Sequence, residues 1–464
     1  MQVTQVSLCP TDASNVAGRP ALTPELLAAT GARYSRSNDG LEAILAKIDP
    51  QNMDKSVDSI FKMVDYGHQS IADMVPVAMF MDGISMWLAY HIWSLCPMAG
   101  GQESSTRYLK LSRENLPDAL EIGIPETLRD EWTRAMENAL ASYEVALEFW
   151  EDVATKNEAV MRIPREILQD SSEKAQKTVA RMRRNYAFDR ARYFLPAALK
   201  TNVMMIQSAR AWVSLCQQLL SHPLPEAQQL GEKIREELQL VAPHLLKHAQ
   251  ASESYRRGAR YEVEIARDWA RDHIEEFGGE LELWDDEARL FWPFHLPEGE
   301  ELAEDLQFHD SRYSYVGPDL RRLSVQFAWE AVAFGDIRDL NRHRTGNKFC
   351  PLAPRGFYGA ADQNEDTSPL SDAIEDARNL SGRALQLLGE DENSAASVYW
   401  ILLGTQFYFE HTTTADKFIY EAELRTGVGA HYRYAKHLHD VLQLWYEKFP
   451  ATRGMILEGM AEPE

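Results

Sequence analysis

The sequence predicts an α+β protein, mostly helical, built as two tandem units. Three observations lead there. Its 464 residues suffice for two or three ordinary cores. Phe80-x-Asp82, thirteen residues and Cys96-Pro97-Met98-Ala99 are echoed by Phe334-x-Asp336, thirteen residues and Cys350-Pro351-Leu352-Ala353. Helical periodicity dominates the chain, while short alternating runs such as Val75, Val77 and Met79 read as strands. We place the boundary near residue 255, giving units 1–255 and 256–464.

The elements follow in order. A helical pattern begins near Leu41, is interrupted by Pro50 and resumes from Val57 to Tyr66, where Gly67-His68 marks a turn. Strand is expected from Val75 and helix after Gly83. Gly100-Gly101 should end that helix, leaving Glu103 to Tyr108 in a loop. Trp132, Met136, Leu140, Tyr143, Leu147 and Trp150 recur at spacings of three and four, the stripe of a long amphipathic helix with its aromatics in the core. A basic run, Arg181 to Arg192, precedes Leu195-Pro196, and helices are expected over 197–221 and 226–242. From 250 to 310 periodicity weakens, and the acidic, glycine-containing stretches read as loops or linker. Ser324 to Phe334 is apolar and partly alternating; helices are expected over 370–388, 394–413 and 429–448.

Composition narrows the function. With 71 acidic and 48 basic residues the formal charge is −23, which disfavours a nucleic-acid polymer yet leaves room for one nucleotide on a few local arginines. Cys9, Cys96, Cys216 and Cys350 lie far apart without C-x-x-C spacing, so neither a metal site nor a disulfide scaffold is expected, and a reducing cytoplasm is. The start of the chain has no basic, then apolar, signal pattern. Met74 to Met98 is apolar but holds Pro76, Asp82 and His91, and an aspartate at mid-bilayer costs roughly 3 kcal/mol, so a buried strand and helix are expected rather than a membrane span.

Two constellations carry chemistry. Glu103-x-Ser105-x-Arg107 offers an acceptor, a hydroxyl and a planar cation, a set suited to a base and a phosphate. Arg342-His343-Arg344 gathers cations that suit an anion. Each has a plain alternative, a solvated surface loop and a basic turn. His68, Arg192 and Arg425 are equally open to structural roles, and no phosphate loop, dinucleotide fingerprint or nucleophilic triad is evident.

Taken together the motifs resemble the flavin-dependent thymidylate synthases, which methylate dUMP with FAD, methylenetetrahydrofolate and NADPH and form homotetramers with sites between subunits. Gly67-His68 is similar to the family's Gly-His, Ala32-Arg33-Tyr34-Ser35 to its Ala-Arg-x-Ser, and Gly83-Ile84-Ser85 to its Gly-x-Ser. Glu103 to Tyr108 resembles Glu-x-Ser-x-Arg-Tyr, Ala191 to Pro196 resembles Ala-Arg-x-x-Leu-Pro, and Ser208-Ala209-Arg210 stands where Asn-Ala-Arg is usual. The resemblance implies a small antiparallel sheet in each unit. It also implies Glu103, Ser105, Arg107, Arg192, Arg342 and Arg425 on the nucleotide, with Ser105 and Arg107 nearest the chemistry. Ser35, His68, Arg210, Arg342, His343 and Arg344 would lie on FAD.

The halves depart from the family in complementary ways. The first lacks Arg-His-Arg; the second has it at Arg342 to Arg344 but lacks Glu-x-Ser-x-Arg, and carries Leu424-Arg425 ahead of Ala430-His431. We therefore expect one composite site, walled on one side by the first unit and on the other by the second, in a cytoplasmic homodimer that mimics the family's tetramer. Asp339 replaces a glutamine usual near the base. That substitution keeps two alternatives open: methylation of another uracil nucleotide, and a non-catalytic nucleotide-binding or scaffold protein.

Overall fold

The computed structural model describes residues 1–6, 22–34, 41–47, 57–58, 70–109, 111–279, 281, 286–293, 296, 298–390, 394–427 and 429–459. In chain order its main elements are β1 (Gln2–Val6), α1 (Pro24–Tyr34), β2 (Pro76–Ser85), α2 (Met86–Leu95), β3 (Gly100–Glu103), α3 (Arg129–Lys156), α4 (Glu173–Ala191), β4 (Lys200–Ser208), α5 (Ala209–Ser221), α6 (Pro225–Val241) and α7 (Glu253–Phe277). There follow β5 (Ala288–Phe291), β6 (Ser324–Ala333), α8 (Phe334–Leu340), β7 (Asn347–Phe349), β8 (Gly356–Phe357), α9 (Ser371–Gly389), β9 (Thr405–Thr414), α10 (Ala415–Thr426) and α11 (Tyr432–Lys448). The chain is thus α+β, mostly helical, with small antiparallel sheets. By contacts it divides into one compact unit of residues 1–105, 121–123 and 200–262, and another of residues 106–120, 124–199 and 263–464. The second unit therefore draws its helices α3 and α4 from the first half of the sequence.

In the first unit the sheet runs β1-β2-β4-β3, every pair antiparallel. Its long strand β2 is bulged between Asp82 and Ile84, where Gly83 takes a φ of 73°. The bulge delivers Ser85 as the N-cap of α2: its hydroxyl accepts from the Leu88 N–H, and buried Glu226 accepts from both the Ser85 N–H and Oγ, each at 2.8 Å. Trp87 stacks on His91, whose ring meets His222 at 5.0 Å; burial pushes His91 down to about 4, so both histidines are neutral packing groups. The apolar Met74–Met98 stretch is thus a strand and a helix, and no helix among the described residues is long and apolar enough to cross a membrane.

The same unit holds a pH-sensitive contact. His244 Nδ1 lies 2.6 Å from Glu25 and its Nε2 lies 2.8 Å from Asp58. Burial alone would lower its pKa, but these two carboxylates outweigh that and raise it. Its stabilisation is full below the ordinary histidine pKa and fades as pH rises through the raised one. His244→Gln should therefore destabilise at pH 5, by roughly 1 kcal/mol or less for so exposed a pair, and have little effect at pH 9 in thermal unfolding.

The sheet of the second unit runs β5-β6-β9-β7, again antiparallel, with β8 also on β9. Its long strand β6 is bulged between Trp329 and Val332 and feeds directly into α8. The α3 stripe packs as expected: Trp132, Met136, Leu140, Tyr143 and Trp150 are buried, and Leu147 is half-buried. Trp132 donates its indole N–H to the Tyr399 carbonyl at 2.9 Å, and Trp150 meets Tyr186 of α4 edge-on.

Several expected elements differ. Residues 200–208 form strand β4, not the start of a helix, and 405–414 form strand β9, not the end of one. Lys, Met and Gln favour helix in isolation, but Thr201, Val203, Met205 and Gln207 alternate inward and pair along β2, and that burial overrides the local preference. In β9 the threonines and aromatics carry the strand signal, which the surrounding helical spacing masked. Glu103, expected in a loop, ends the edge strand Gly100–Glu103, and the 250–310 region, where periodicity weakens, begins with the 25-residue helix α7.

Candidate functional site

The sequence brings Arg192 to the site by ending α4 just before it: a short 3-10 turn, Arg192–Phe194, follows, and Arg192 is only 7% exposed. Its Nη2 donates to Asp336 at 2.9 Å and its Nη1 to Asp339 at 3.1 Å, both carboxylates carried on the inner face of α8. The Tyr193 hydroxyl donates to the same Asp336 at 3.2 Å. Burial pushes Asp336 up to about 6 in spite of Arg192 and Arg433. Asp339 moves the other way: burial would raise it, but Arg342, Arg192 and Arg425 hold it well below the usual carboxylate range. Two carboxylates thus share one guanidinium.

Around this pair the other predicted cations assemble. Arg342, at the end of α8, directs its Nε to within 3.4 Å of Asp339, with half of its side chain exposed. Arg107 forms a bidentate pair with Asp189 of α4, Nε to Oδ1 at 2.9 Å and Nη2 to Oδ2 at 2.7 Å. His431 ties the two groups together: its Nε2–H donates to the Asp189 carbonyl at 3.0 Å, its Nδ1 accepts from the Arg433 N–H, and that nitrogen lies 3.7 Å from Asp336. Arg425 donates from Nε to His343 Nε2 at 2.7 Å. Burial, with Arg425 and Lys348 nearby, holds His343 well below the usual histidine pKa, so it is a neutral acceptor.

Arg107, Arg192, Arg342, His343 and Arg425 therefore lie in one compact unit, linked through Asp189, Asp336 and Asp339. Arg344 lies there too, partly buried close to Lys348. Glu103, Ser105 and Arg210 belong to the other unit. Glu103 ends β3 opposite Val203, and Arg210 pairs with Asp73 at 2.8 Å on the surface. Ser208, in the place of the expected asparagine, caps α5 by accepting from the Ala211 N–H. Ser35 and His68 lie outside the described residues. Among the described residues no cluster of histidine, cysteine and carboxylate side chains has the form of a metal site.

Beside Thr345, directly after the Arg-His-Arg segment, opens a cleft of about 520 Å³. Arg312, Arg321 and Lys417 line it with Tyr313, Tyr315 and Tyr420. Arg321 sits 5.6 Å from the Tyr315 ring, and Tyr313 and Tyr420 approach to 6.1 Å. Cations for a pyrophosphate and rings for an aromatic system are a donor set that fits part of a flavin dinucleotide. The half-exposed guanidiniums of Arg342 and Arg210 fit an anionic cofactor as well, whereas neutral, enclosed His343 fits only as a packing or acceptor group. This cleft, Asp189 and Asp336 were not among the expected site features. Arg312-Tyr313-Ser314-Tyr315, one cation followed by hydroxyl and aromatic residues, was the available signal for the cleft; Asp336 stood in the Phe334-x-Asp336 echo, and isolated Asp189 gave none.

UPF0159 protein Ta1429 of Thermoplasma acidophilum is 23% identical over 477 residues, spanning 91% of this chain and 93% of that protein. Two crystal structures of the flavin-dependent thymidylate synthase ThyX from Helicobacter pylori, each with FAD and dUMP, are 17% and 14% identical, with TM-scores of 0.34 and 0.30. Each alignment covers 54% of this chain, and 100% and 99% of those chains respectively. Residues 21–244, a little under half of this chain, match the Thy1 family, the thymidylate synthase complementing proteins.

Proposed function

We propose that this chain is a flavoenzyme that reductively methylates a uracil nucleotide, dUMP to dTMP, with methylenetetrahydrofolate and NADPH as cosubstrates. The observation that carries this reading is the gathering of Arg107 and Arg192 from one half of the sequence with Arg342 and Arg425 from the other, in a single compact unit. The Thy1 match supports it. In this reading Arg342, half exposed, meets the phosphate; Arg192 is held in a fixed direction by Asp336 and Asp339; Arg107 and Arg425 close on the nucleotide; Glu103 and Ser105 contribute to the same substrate. Arg342, Arg344 and Arg210, together with Ser35, His68 and His343, are assigned to FAD, and the basic, tyrosine-lined cleft is added to them. When bound, FAD supplies the redox and one-carbon chemistry, so no protein nucleophile is required.

The shared strand order of the two sheets, each with a bulged long strand running into a helix, supports tandem duplication with a junction near residue 255. Two copies of such a chain would assemble as a homodimer. Asp339, an acid where the family usually has glutamine, favours keeping a second nucleotide substrate, UMP, in the assay.

Purified protein is expected to be yellow or to take up FAD, and to convert dUMP in the presence of reduced folate and NADPH. Arg342→Ala should weaken dUMP binding about 100-fold, the scale of a lost charge-assisted phosphate contact. A folded protein that neither holds FAD nor binds a uracil nucleotide would refute the reading.

A further inference from the structure

Arg107 and Arg192 are both paired with carboxylates of their own chain, but the two pairs are built differently. Arg192 lies between two aspartates, and Asp336, fully buried, also accepts from Tyr193. The Arg107–Asp189 pair is nearer to solvent, with side-chain exposures of 16% and 11%. Among the described residues the Asp189 side chain hydrogen-bonds only to Arg107, while its main-chain carbonyl is held separately by His431. Rotation of that side chain therefore leaves α4 and the His431 contact in place. Its two oxygens also sit on Nε and Nη2 in the parallel, two-point geometry that a phosphate or ligand carboxylate adopts on arginine.

We propose that Asp189 is a resident competitor on Arg107, occupying the anion position in the ligand-free protein and swinging away when the nucleotide binds. This rests on the nucleotide reading above and adds a specificity-determining residue to it. Aspartate sets an affinity threshold: only the fraction of molecules with Arg107 released is competent, and apparent affinity falls by that fraction. Weak anions fail to displace it, whereas a ligand that also engages Arg342 succeeds. The neighbouring Arg192 cluster does not exchange, because its carboxylates are held from several sides.

The test titrates dUMP into full-length wild-type protein, Asp189→Asn and the double variant Arg107→Ala/Asp189→Asn, with circular dichroism to verify folding. Asp189→Asn should bind dUMP about tenfold more tightly, since a competent fraction near one in ten becomes nearly complete. The double variant should lose that gain. Equal or weaker binding by folded Asp189→Asn overturns the proposal while leaving the nucleotide reading intact; binding of neither dUMP nor UMP by any folded form overturns both. If Asp189→Asn does not fold, a crystal structure of the wild type with dUMP decides. Asp189 should then lie beyond roughly 4 Å, the reach of an ion pair, from Arg107, and a retained two-point pair refutes the exchange.

Discussion

Arg192→Ala is expected to destabilise the protein by about 3–5 kcal/mol, the scale for removing one partner of a buried ion pair. Arg192 is 7% exposed and its guanidinium sits between Asp336 and Asp339, so its loss strands two carboxylates away from water. The loss should depend on pH in a defined direction. Burial raises Asp336 to about 6 even with Arg192 present, so its folded pKa exceeds its unfolded one. A carboxyl shifted upward favours the folded state below its unfolded pKa, and that contribution disappears as pH rises through the folded value. Without Arg192 the burial is less opposed and the pKa climbs further. Urea unfolding of Arg192→Ala should therefore show a larger deficit at pH 8 than at pH 5. Adding Asp336→Asn, which removes the stranded charge, should recover part of the deficit at pH 8. A deficit below about 1 kcal/mol, or one that is larger at pH 5, would contradict this account.

Gly346→Ala should be comparably damaging, for a backbone reason. Gly346 has a φ of 71°, which costs a residue with a Cβ roughly 1–2 kcal/mol. The added carbon would also lie 2.0 Å from the Thr412 carbonyl oxygen and 2.9 Å from Thr413 Cβ. Neither can yield easily, because both belong to the central strand β9. The start of β7 would have to shift, for a total of roughly 3–5 kcal/mol with the overpacking included. The expected readouts are a lower Tm and faster amide exchange at β7 residues Lys348 and Phe349. A Tm within about 2 °C of wild type would count against the clash. Gly101 repeats the situation in the other sheet, where a Cβ would meet the Met204 carbonyl at 2.0 Å. Because Thr345 lines the basic cleft, displacement of Gly346 should also reach the Arg342–Thr345 segment.

Much of the helical scaffold was legible in the chain itself. A stripe such as Trp132 to Trp150 is local information: side chains three and four apart share a face wherever that face is buried. The interrupted apolar stretch from Met74 to Met98 was legible for a similar reason, since Asp82 and Gly83 mark a strand's bulge and the entry to a helix. Strands β4 and β9 were harder to read because their residues are permissive, and pairing with β2 and β6 decides their state.

By itself, the amino-acid sequence determined the family likeness, the acidic surface and which cations stand in which motif, because these depend only on residue type and spacing. Only the tertiary structure decided which of those cations share a cluster, and that Asp189, Asp336 and Asp339 neutralise them. Ion pairing acts through space over a few ångströms, and Arg192 meets Asp336 across 144 residues of chain. No reading of local pattern can supply a contact at that separation.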